Sequence, residues 1–307
     1  SNHRAVFGGY FGKTGGSMKK GLILEGGGMR GMFTAGVIDV MMENQILFDG
    51  AIGVSAGAAF GCNYKSKQIG RAVRYSMKYC NDRRYASIEN LIKTGGIYSA
   101  DFAYGKVPLE YDVFDFDTYE KNPMEFYTVC TNIENGKAVY HNYKGKNDHC
   151  FEWIRASAAM PIVSQIVQID GLKLLDGGIA DSVPIKYFES IGYDKNVVVL
   201  TQPEGYQKGK NSFIPLVALK YRKYPKLIEA LEKRHIIYNQ TLSYIAEQEK
   251  AGNLFVIRPS EKINVGMIER DPQKLKEIYD FGRKTALEHI FEIEKFFAVL
   301  TRRVGHF

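Results

Sequence analysis

Gly53-Val54-Ser55-Ala56-Gly57 follows the short run Asp49-Gly50-Ala51-Ile52 and sets one hydroxyl among small residues. Glycines two before and two after Ser55 remove the Cβ atoms that would clash in a sharp strand-to-helix turn. A serine on such a turn stands at a helix N-terminus, where the dipole and free N–H groups favour a developing alkoxide. That is the setting of a nucleophile. Taken alone, G-x-S-x-G in a chain with 31 glycines also matches an ordinary small-residue turn.

A second cluster, Gly26-Gly27-Gly28-Met29-Arg30-Gly31, follows the apolar run Gly21-Leu22-Ile23-Leu24. Its spacing satisfies the dinucleotide fingerprint G-x-G-x-x-G, but a nucleotide site also needs an acidic residue at the C-terminal end of the second strand. Asp49 stands at that strand's beginning and Ser55 at its end, and no Gly-Lys-Ser/Thr follows the glycines to make a P-loop. The chemical use that is left is a set of backbone N–H donors for an oxyanion, each worth about 10²–10³ in rate. A tight turn allowing close helix packing is the structural alternative.

A serine hydroxyl needs a base. None of the six histidines has a motif-like setting: His235 lies in the basic, solvated run Lys233-Arg234-His235, His289 on a long amphipathic stretch, His306 in the tail, and His141 and His149 in polar loops. Asp176, in Leu174-Leu175-Asp176-Gly177-Gly178, closes an apolar run and is followed by two glycines, which presents a carboxylate at a sheet edge with space around it. An Asx turn in a hairpin uses the same Asp-Gly pair.

The elements that must carry these residues alternate in type. Residues 21–24 and 51–54 read as strands, Met32 to Glu43 and Ala56 to Lys65 as helices, and Phe33, Val37, Val40 and Met41 share one helical face. Strand, helix, strand, helix opens an α/β fold with a largely parallel sheet, whose loops at the carboxyl ends of adjacent strands are neighbours. Tyr75 to Phe116 reads as short helices and loops. Phe126–Asn132 with Lys137–Tyr143, and Ile166–Ile169 with Leu172–Leu175, read as hairpins around Glu134-Asn135-Gly136 and Asp170-Gly171. Cys150 to Ala159 reads as a helix stopped by Pro161, and Val197 to Leu200 as a buried strand. Helices over 216–238 and 240–250, a strand over 253–257, and a helix from Asp271-Pro272 to about Leu300 complete the reading.

Composition narrows the class. In 307 residues, 45% hydrophobic and 24% charged, the chain can bury a large core, which excludes wholesale disorder. Four scattered cysteines (Cys62, Cys80, Cys130, Cys150) without a C-x-x-C pair or zinc spacing read as reduced thiols of a cytoplasmic protein. No stretch approaches the roughly 20 apolar residues of a membrane span. The net charge of +7 comes without any nucleic-acid-binding motif, so no nucleic-acid partner is expected. Residues 1–17 read as a leader or disordered extension, with Met18-Lys19-Lys20 as the natural start and 18–307 as a single domain.

Gly-Gly-Gly-x-Arg-Gly, then Gly-x-Ser-x-Gly, then Asp-Gly-Gly, in this order, resembles the patatin-like phospholipases, and among them the compact bacterial members. The block Ala156-Ser157-Ala158-Ala159-Met160-Pro161 resembles that family's small-residue segment ahead of the aspartate. The resemblance runs from about Gly21 to the last helix. It implies a three-layer α/β/α domain and a Ser-Asp dyad without histidine: Ser55 as nucleophile, Asp176 as base, Gly26, Gly27 and Gly28 as oxyanion hole with Arg30 supporting it. Gly31, Gly53, Gly57, Gly177 and Gly178 then keep the motifs in shape. It further implies hydrolysis of phospholipid or lysophospholipid esters through an acyl-enzyme, without metal or organic cofactor. Plant-type members often carry Asn before the proline after Asp-Gly-Gly, whereas this chain runs Ile179-Ala180-Asp181-Ser182-Val183-Pro184.

Two readings stand against the dyad. One is a general carboxylesterase with a Ser-Asp-His triad, the other a non-catalytic lipid-binding module that keeps the fold. Lys220-Tyr221-Arg222-Lys223-Tyr224-Pro225-Lys226 interleaves cations with tyrosine, which suits peripheral contact with an anionic membrane surface or an ordinary solvated helix start. The stripe Leu275, Ile278, Phe281, Ala286, Ile290, Ile293, Phe296, Phe297 and Leu300 favours core packing over a membrane-binding face.

Overall fold

The computed structural model describes residues 18–303. The stretch 1–17, the side chain of Leu300 and His306 lie outside the described residues. Eight strands form one sheet: β1 (Lys19–Leu24), β2 (Gly50–Val54), β3 (Glu125–Asn132), β4 (Lys137–Asn142), β5 (Val167–Ile169), β6 (Leu172–Asp176), β7 (Tyr193–Val199) and β8 (Leu254–Ile257). Strands β3, β2, β1, β7 and β8 lie side by side in that order and run parallel.

Both faces of these strands are apolar, as parallel strands covered by helices require. Side chains alternate, so Leu22 and Leu24 enter one core and Ile23 the other. The first core takes α1 (Gly31–Glu43), α2 (Ala56–Lys65), α3 (Arg71–Tyr79), α6 (Glu152–Ser157) and α10 (Pro272–Arg303). The second takes α7 (Ile185–Ser190) and Tyr238 and Ile245 of α9 (Pro225–Lys250), whose Leu227 and Leu231 join the first. The result is three layers, helix, sheet and helix. Between α3 and β3 the chain forms α4 (Ile88–Thr94), a π-helical stretch Phe102–Tyr111 and α5 (Phe116–Lys121).

The edge of β3 decides where the site forms. Along one edge, β4 pairs antiparallel over residues 127–132. The other edge is shared: β2 pairs parallel along residues 125–129, and β6 pairs antiparallel along 130–132. Val54 lies opposite Val129 and Asp176 opposite Cys130, so the C-terminal ends of β2 and β6 meet tip to tip beside consecutive residues of β3. Asp49 sits at the other end of β2, where its carboxylate accepts from Lys20 N at 2.7 Å.

The second half of the helical region departs from the reading by periodicity. In place of breaks around residue 239, α8 (Ile214–Lys220) ends before Pro225 and α9 runs unbroken to Lys250. Proline lacks an N–H and pushes the residue before it out of the helical region, and Tyr224 has φ −124°, ψ 69°. The tyrosine of the basic stretch is structural: Tyr221 is buried, and its hydroxyl accepts from Ile162 N at 2.9 Å, while Arg222 and Lys223 are exposed. Cys62, Cys80, Cys130 and Cys150 are free thiols. Among the described residues no helix is long and apolar enough to cross a membrane.

The apolar stripe of α10 is core. Leu275, Ile278, Ala286, Ile293 and Phe297 are buried, and Phe281 meets Phe33 of α1 edge to face at 5.4 Å. The two helices touch backbone to backbone at a pair of glycines: a Cβ on Gly36 would run into Tyr279 O and Arg283 N, and one on Gly282 into Phe33 O. Helix backbone cannot yield there as a side chain could. Gly36→Val is therefore expected to destabilise the fold by about 2–3 kcal/mol, the scale of overpacking a tight core, read as a lower midpoint in urea with an unchanged slope.

Candidate active site

Ser55 joins β2 to α2 in a conformation that L residues rarely adopt, φ 56° and ψ −121°. Such a backbone costs about 1–3 kcal/mol and persists only where its surroundings fix it. Here the Ser55 N–H donates to Ser157 Oγ at 2.9 Å, and that hydroxyl donates onward to Val129 O at 2.6 Å. The Ser55 carbonyl accepts from Ala58 N and Ala59 N at 2.9 and 3.0 Å, the first turn of α2. Both flanking glycines are needed for this approach. A Cβ on Gly53 would lie 2.6 Å from Ala58 N, and one on Gly57 would meet Leu24 O and Glu25 O.

Asp176 arrives from the opposite direction at the tip of β6 and is 6% exposed. Its backbone is tied on both sides: N donates to Ala159 O at 2.8 Å and O accepts from Thr131 Oγ1 at 2.8 Å. Oδ1 accepts from Gly178 N at 2.7 Å, and Gly177 packs against Val129 O with no room for a Cβ. Burial raises the Asp176 pKa above the ordinary carboxyl value. The positive charge of Arg234 opposes this most, followed by the Gly178 N–H and the nearby Ser55 hydroxyl.

The glycine loop closes the third side. A Cβ on Gly26 would sit 2.9 Å from Val54 O and 3.1 Å from Ser55 Cβ, so the loop backbone lies directly against the serine. Gly28, at φ +56°, starts a 3-10 turn through Arg30, and Gly31 abuts Ala56. Among the described residues, no backbone carbonyl accepts from the N–H of Gly26, Gly27 or Gly28. All three residues line the cavity that holds Ser55, Asp176 and Arg30. Just behind it, Glu25 is buried with a raised pKa, because desolvation outweighs the hydrogen bonds it accepts from Tyr238 OH, Thr201 N (2.7 Å) and Thr201 Oγ1 (3.3 Å).

Two lobes open from Ser55. One, of about 110 Å³, is apolar and lined by Phe60, Tyr75, Tyr104, Val107, Phe151 and Ile154. The other, of about 280 Å³, is the more polar of the two and contains Asp176, Arg30, Lys208 and Arg234. Among the described residues no histidine lines either lobe. His141 pairs with Asp148 at 2.6 Å and His149 with Asp170 at 3.0 Å, while His289 lies 3.2 Å from Glu292. His235 departs from the solvated reading, since its Nδ1 is buried without a partner. No group of three His, Cys, Asp or Glu among the described residues could hold a metal ion.

Reading the motifs misses Ser157, Glu25, Lys208 and Arg234. Ser157 had a signal in the small-residue block before Pro161. Arg234 had one too: on α9 the buried residues Leu227, Leu231, Tyr238 and Ile245 recur at helical spacing, and 234 falls between 231 and 238 on that face. The charge run Lys233-Arg234-His235 masks it. Lys208, on an irregular loop, had none.

Comparison with known proteins gives two matched segments. The family model described as Patatin-like phospholipase matches residues 22–189, and one described as a domain of unknown function (DUF6363) matches residues 224–298. The chain is 27% identical over 292 residues to the uncharacterized protein YjjU of Escherichia coli (strain K12), covering 85% of this chain and 74% of that protein. It is 28% identical over 179 residues to lysophospholipase nte1 of Emericella nidulans, covering 57% of this chain but only 11% of that much longer protein. Among solved structures, VipD from Legionella pneumophila aligns with TM-score 0.43 and 14% identity over 89% of this chain and 66% of that one.

The raised pKa of Asp176 carries a consequence for stability. A carboxyl whose folded pKa lies above its unfolded value favours folding at low pH, and that contribution is lost as pH rises through the folded value. Asp176→Asn avoids the loss. Its melting temperature is expected to exceed that of the wild type at neutral pH, with the gap shrinking as pH falls toward the ordinary carboxyl range; a lower melting temperature at pH 7 would contradict the assigned direction.

Proposed function

Because this chain belongs to the patatin-like phospholipase family, a family of lipid ester hydrolases, we propose that it cleaves carboxylic esters of phospholipids or lysophospholipids through Ser55 and Asp176. The observation that carries this is the convergence on one cavity of a hydroxyl at a strained elbow, a buried carboxyl and three glycines with uncommitted N–H groups. Ser55 Oγ attacks the ester carbonyl while Asp176 accepts its proton. The resulting oxyanion lies against the N–H groups of Gly26, Gly27 and Gly28, with Arg30 supporting that loop. Collapse transfers the proton to the leaving alcohol and leaves an acyl-enzyme; water then repeats the sequence and releases the fatty acid.

Two features make a carboxylate serviceable as the base. Burial lifts its pKa toward the working pH, and the N-terminus of α2 stabilises the alkoxide. A triad has no histidine to use at this cavity among the described residues. The apolar lobe is the natural berth for the acyl chain.

In this proposal residues 18–307 act as one hydrolase unit, since Arg234 and Tyr238 of α9 line the same cavity as Ser55. The four free thiols support a reducing, cytoplasmic setting. Peripheral contact with an anionic lipid surface is supported by Phe213, Leu216 and Leu219, exposed on or beside α8, next to Arg222 and Lys223.

Ser55→Ala is expected to remove all turnover of lysophospholipids and all labelling by a fluorophosphonate, and label that persists in the variant would overturn the nucleophile. Asp176→Asn should lower kcat by about 10³-fold or more, the scale of losing a general base. In the wild type, kcat/KM should rise with pH through a single group titrating above the ordinary carboxyl range, because Asp176 must be ionised to accept the proton.

A further inference from the structure

The polar lobe beside the dyad collects more positive charge than the chemistry of ester cleavage uses. Arg30, Lys208 and Arg234 line it together with Gln202, Tyr206 and Tyr238. The Nε atoms of both Arg30 and Arg234 are buried without a hydrogen-bond partner. The carboxylates that face the lobe are otherwise engaged: Glu25 accepts from Thr201 and Tyr238, and Asp176 from Gly178. Burial, then the charges of Arg234 and Arg30, push the Lys208 ammonium down to about 8, with only Glu25 opposing. The three cations thus stand around a cavity of about 280 Å³ whose two carboxylates already accept hydrogen bonds from the protein.

The cluster is built into the fold. Asn239 of α9 brackets the loop that carries Lys208, its Oδ1 accepting from Lys208 N at 2.7 Å and its Nδ2 donating to Lys208 O at 3.0 Å. The Lys208 ammonium stands 5.3 Å from the centre of the Tyr238 ring, and Tyr206 packs edge-on against the same ring. Arg234 reaches the dyad itself, since a Cβ on Gly178 would sit 3.1 Å from its Nη2.

We infer that Lys208 and Arg234, with Arg30 on the facing wall, form a subsite for the phosphate of the lipid headgroup and set a preference for phosphate-bearing over neutral esters. The inference rests on the hydrolase reading above. With the acyl chain in the apolar lobe and the carbonyl at Ser55, the alcohol side of the substrate points into the cationic lobe, a short glycerol length from the ester. Guanidinium and ammonium groups recognise phosphate through charge-assisted hydrogen bonds, the arginine fork bidentately. Arg234 lies in the segment 224–298 matched as a domain of unknown function, so this segment would supply the headgroup wall of the site.

The test uses the whole chain and two esters of the same fatty acid, palmitoyl lysophosphatidic acid and monopalmitoylglycerol. The ratio of kcat/KM for the phosphate ester over the neutral one is expected to fall tenfold or more in Lys208→Gln, chiefly through KM, and to be largely restored in Lys208→Arg. A ratio that does not move overturns the subsite, as does an equal loss on both esters, which marks a structural role. A second measurement does not depend on turnover. Glycerol 3-phosphate should raise the melting temperature of Ser55→Ala and not of Ser55→Ala/Lys208→Gln, and should do so more than inorganic phosphate. An equal shift by inorganic phosphate marks a free-phosphate site and overturns the headgroup assignment. If the wild type cleaves neither ester, the hydrolase reading fails, and the melting shifts still decide the anion site by themselves.

Discussion

The carbonyl of Val129 takes the hydroxyl proton of Ser157, and Ser157 takes the N–H of Ser55. This short chain of hydrogen bonds stands where β2 and β6 meet head-on along one edge of β3. One strand ends at Val54 and runs straight into Ser55, the other ends in Asp176, and Val54 and Asp176 face consecutive residues of β3. Successive strand residues rise only about 3.3 Å, so the register alone brings the two side chains into one pocket. Gly177, pressed against the same Val129 carbonyl, leaves no slack for either strand to slip. Losing a partner in a buried relay of this kind costs about 1–3 kcal/mol per orphaned group, which keeps an unfavourable backbone at Ser55 in place.

Around that junction the fold buries charge. Asp176 and Glu25 both sit in the interior with raised pKa values, each for the same first reason, desolvation. The three cations of the polar lobe compensate them at a distance without neutralising them by contact. The arrangement is poor for stability and serves the proposed function: in the proposed mechanism the raised pKa makes the carboxyl a better proton acceptor, and the proposed headgroup subsite uses the basic wall. Stability is recovered elsewhere, in the two apolar cores and in the glycine-to-glycine crossing of α1 and α10.

Much of this was legible from residue types and spacing. The elbow, the glycine loop and the Asp-Gly-Gly turn could each be read because their glycines mark places where backbone approaches backbone. Gly57 against Leu24 O and Gly26 against Val54 O are those approaches. The strands carrying them were legible through apolar runs bounded by glycine, and the core stripe of α10 through its period. The break before α9 was misread because the apolar periodicity passes through Tyr221 and Tyr224, while the proline that starts the new helix changes the backbone and not the pattern. The burial of His235 Nδ1 was hidden for a related reason, a charged run read as solvent-facing.

The sequence by itself determined the local chemistry: which hydroxyl sits at a helix start, which carboxyl closes a strand, and which loop keeps its N–H groups free. These are properties of neighbours along the chain, governed by steric room and capping. Tertiary structure alone decided that Ser55 and Asp176 share a pocket, that Ser157 fixes the elbow, and that Lys208 and Arg234 reach the site from distant segments. Those contacts span a hundred residues or more between Ser55 and Ser157, and strand register and helix packing, which no local pattern encodes, bring them together.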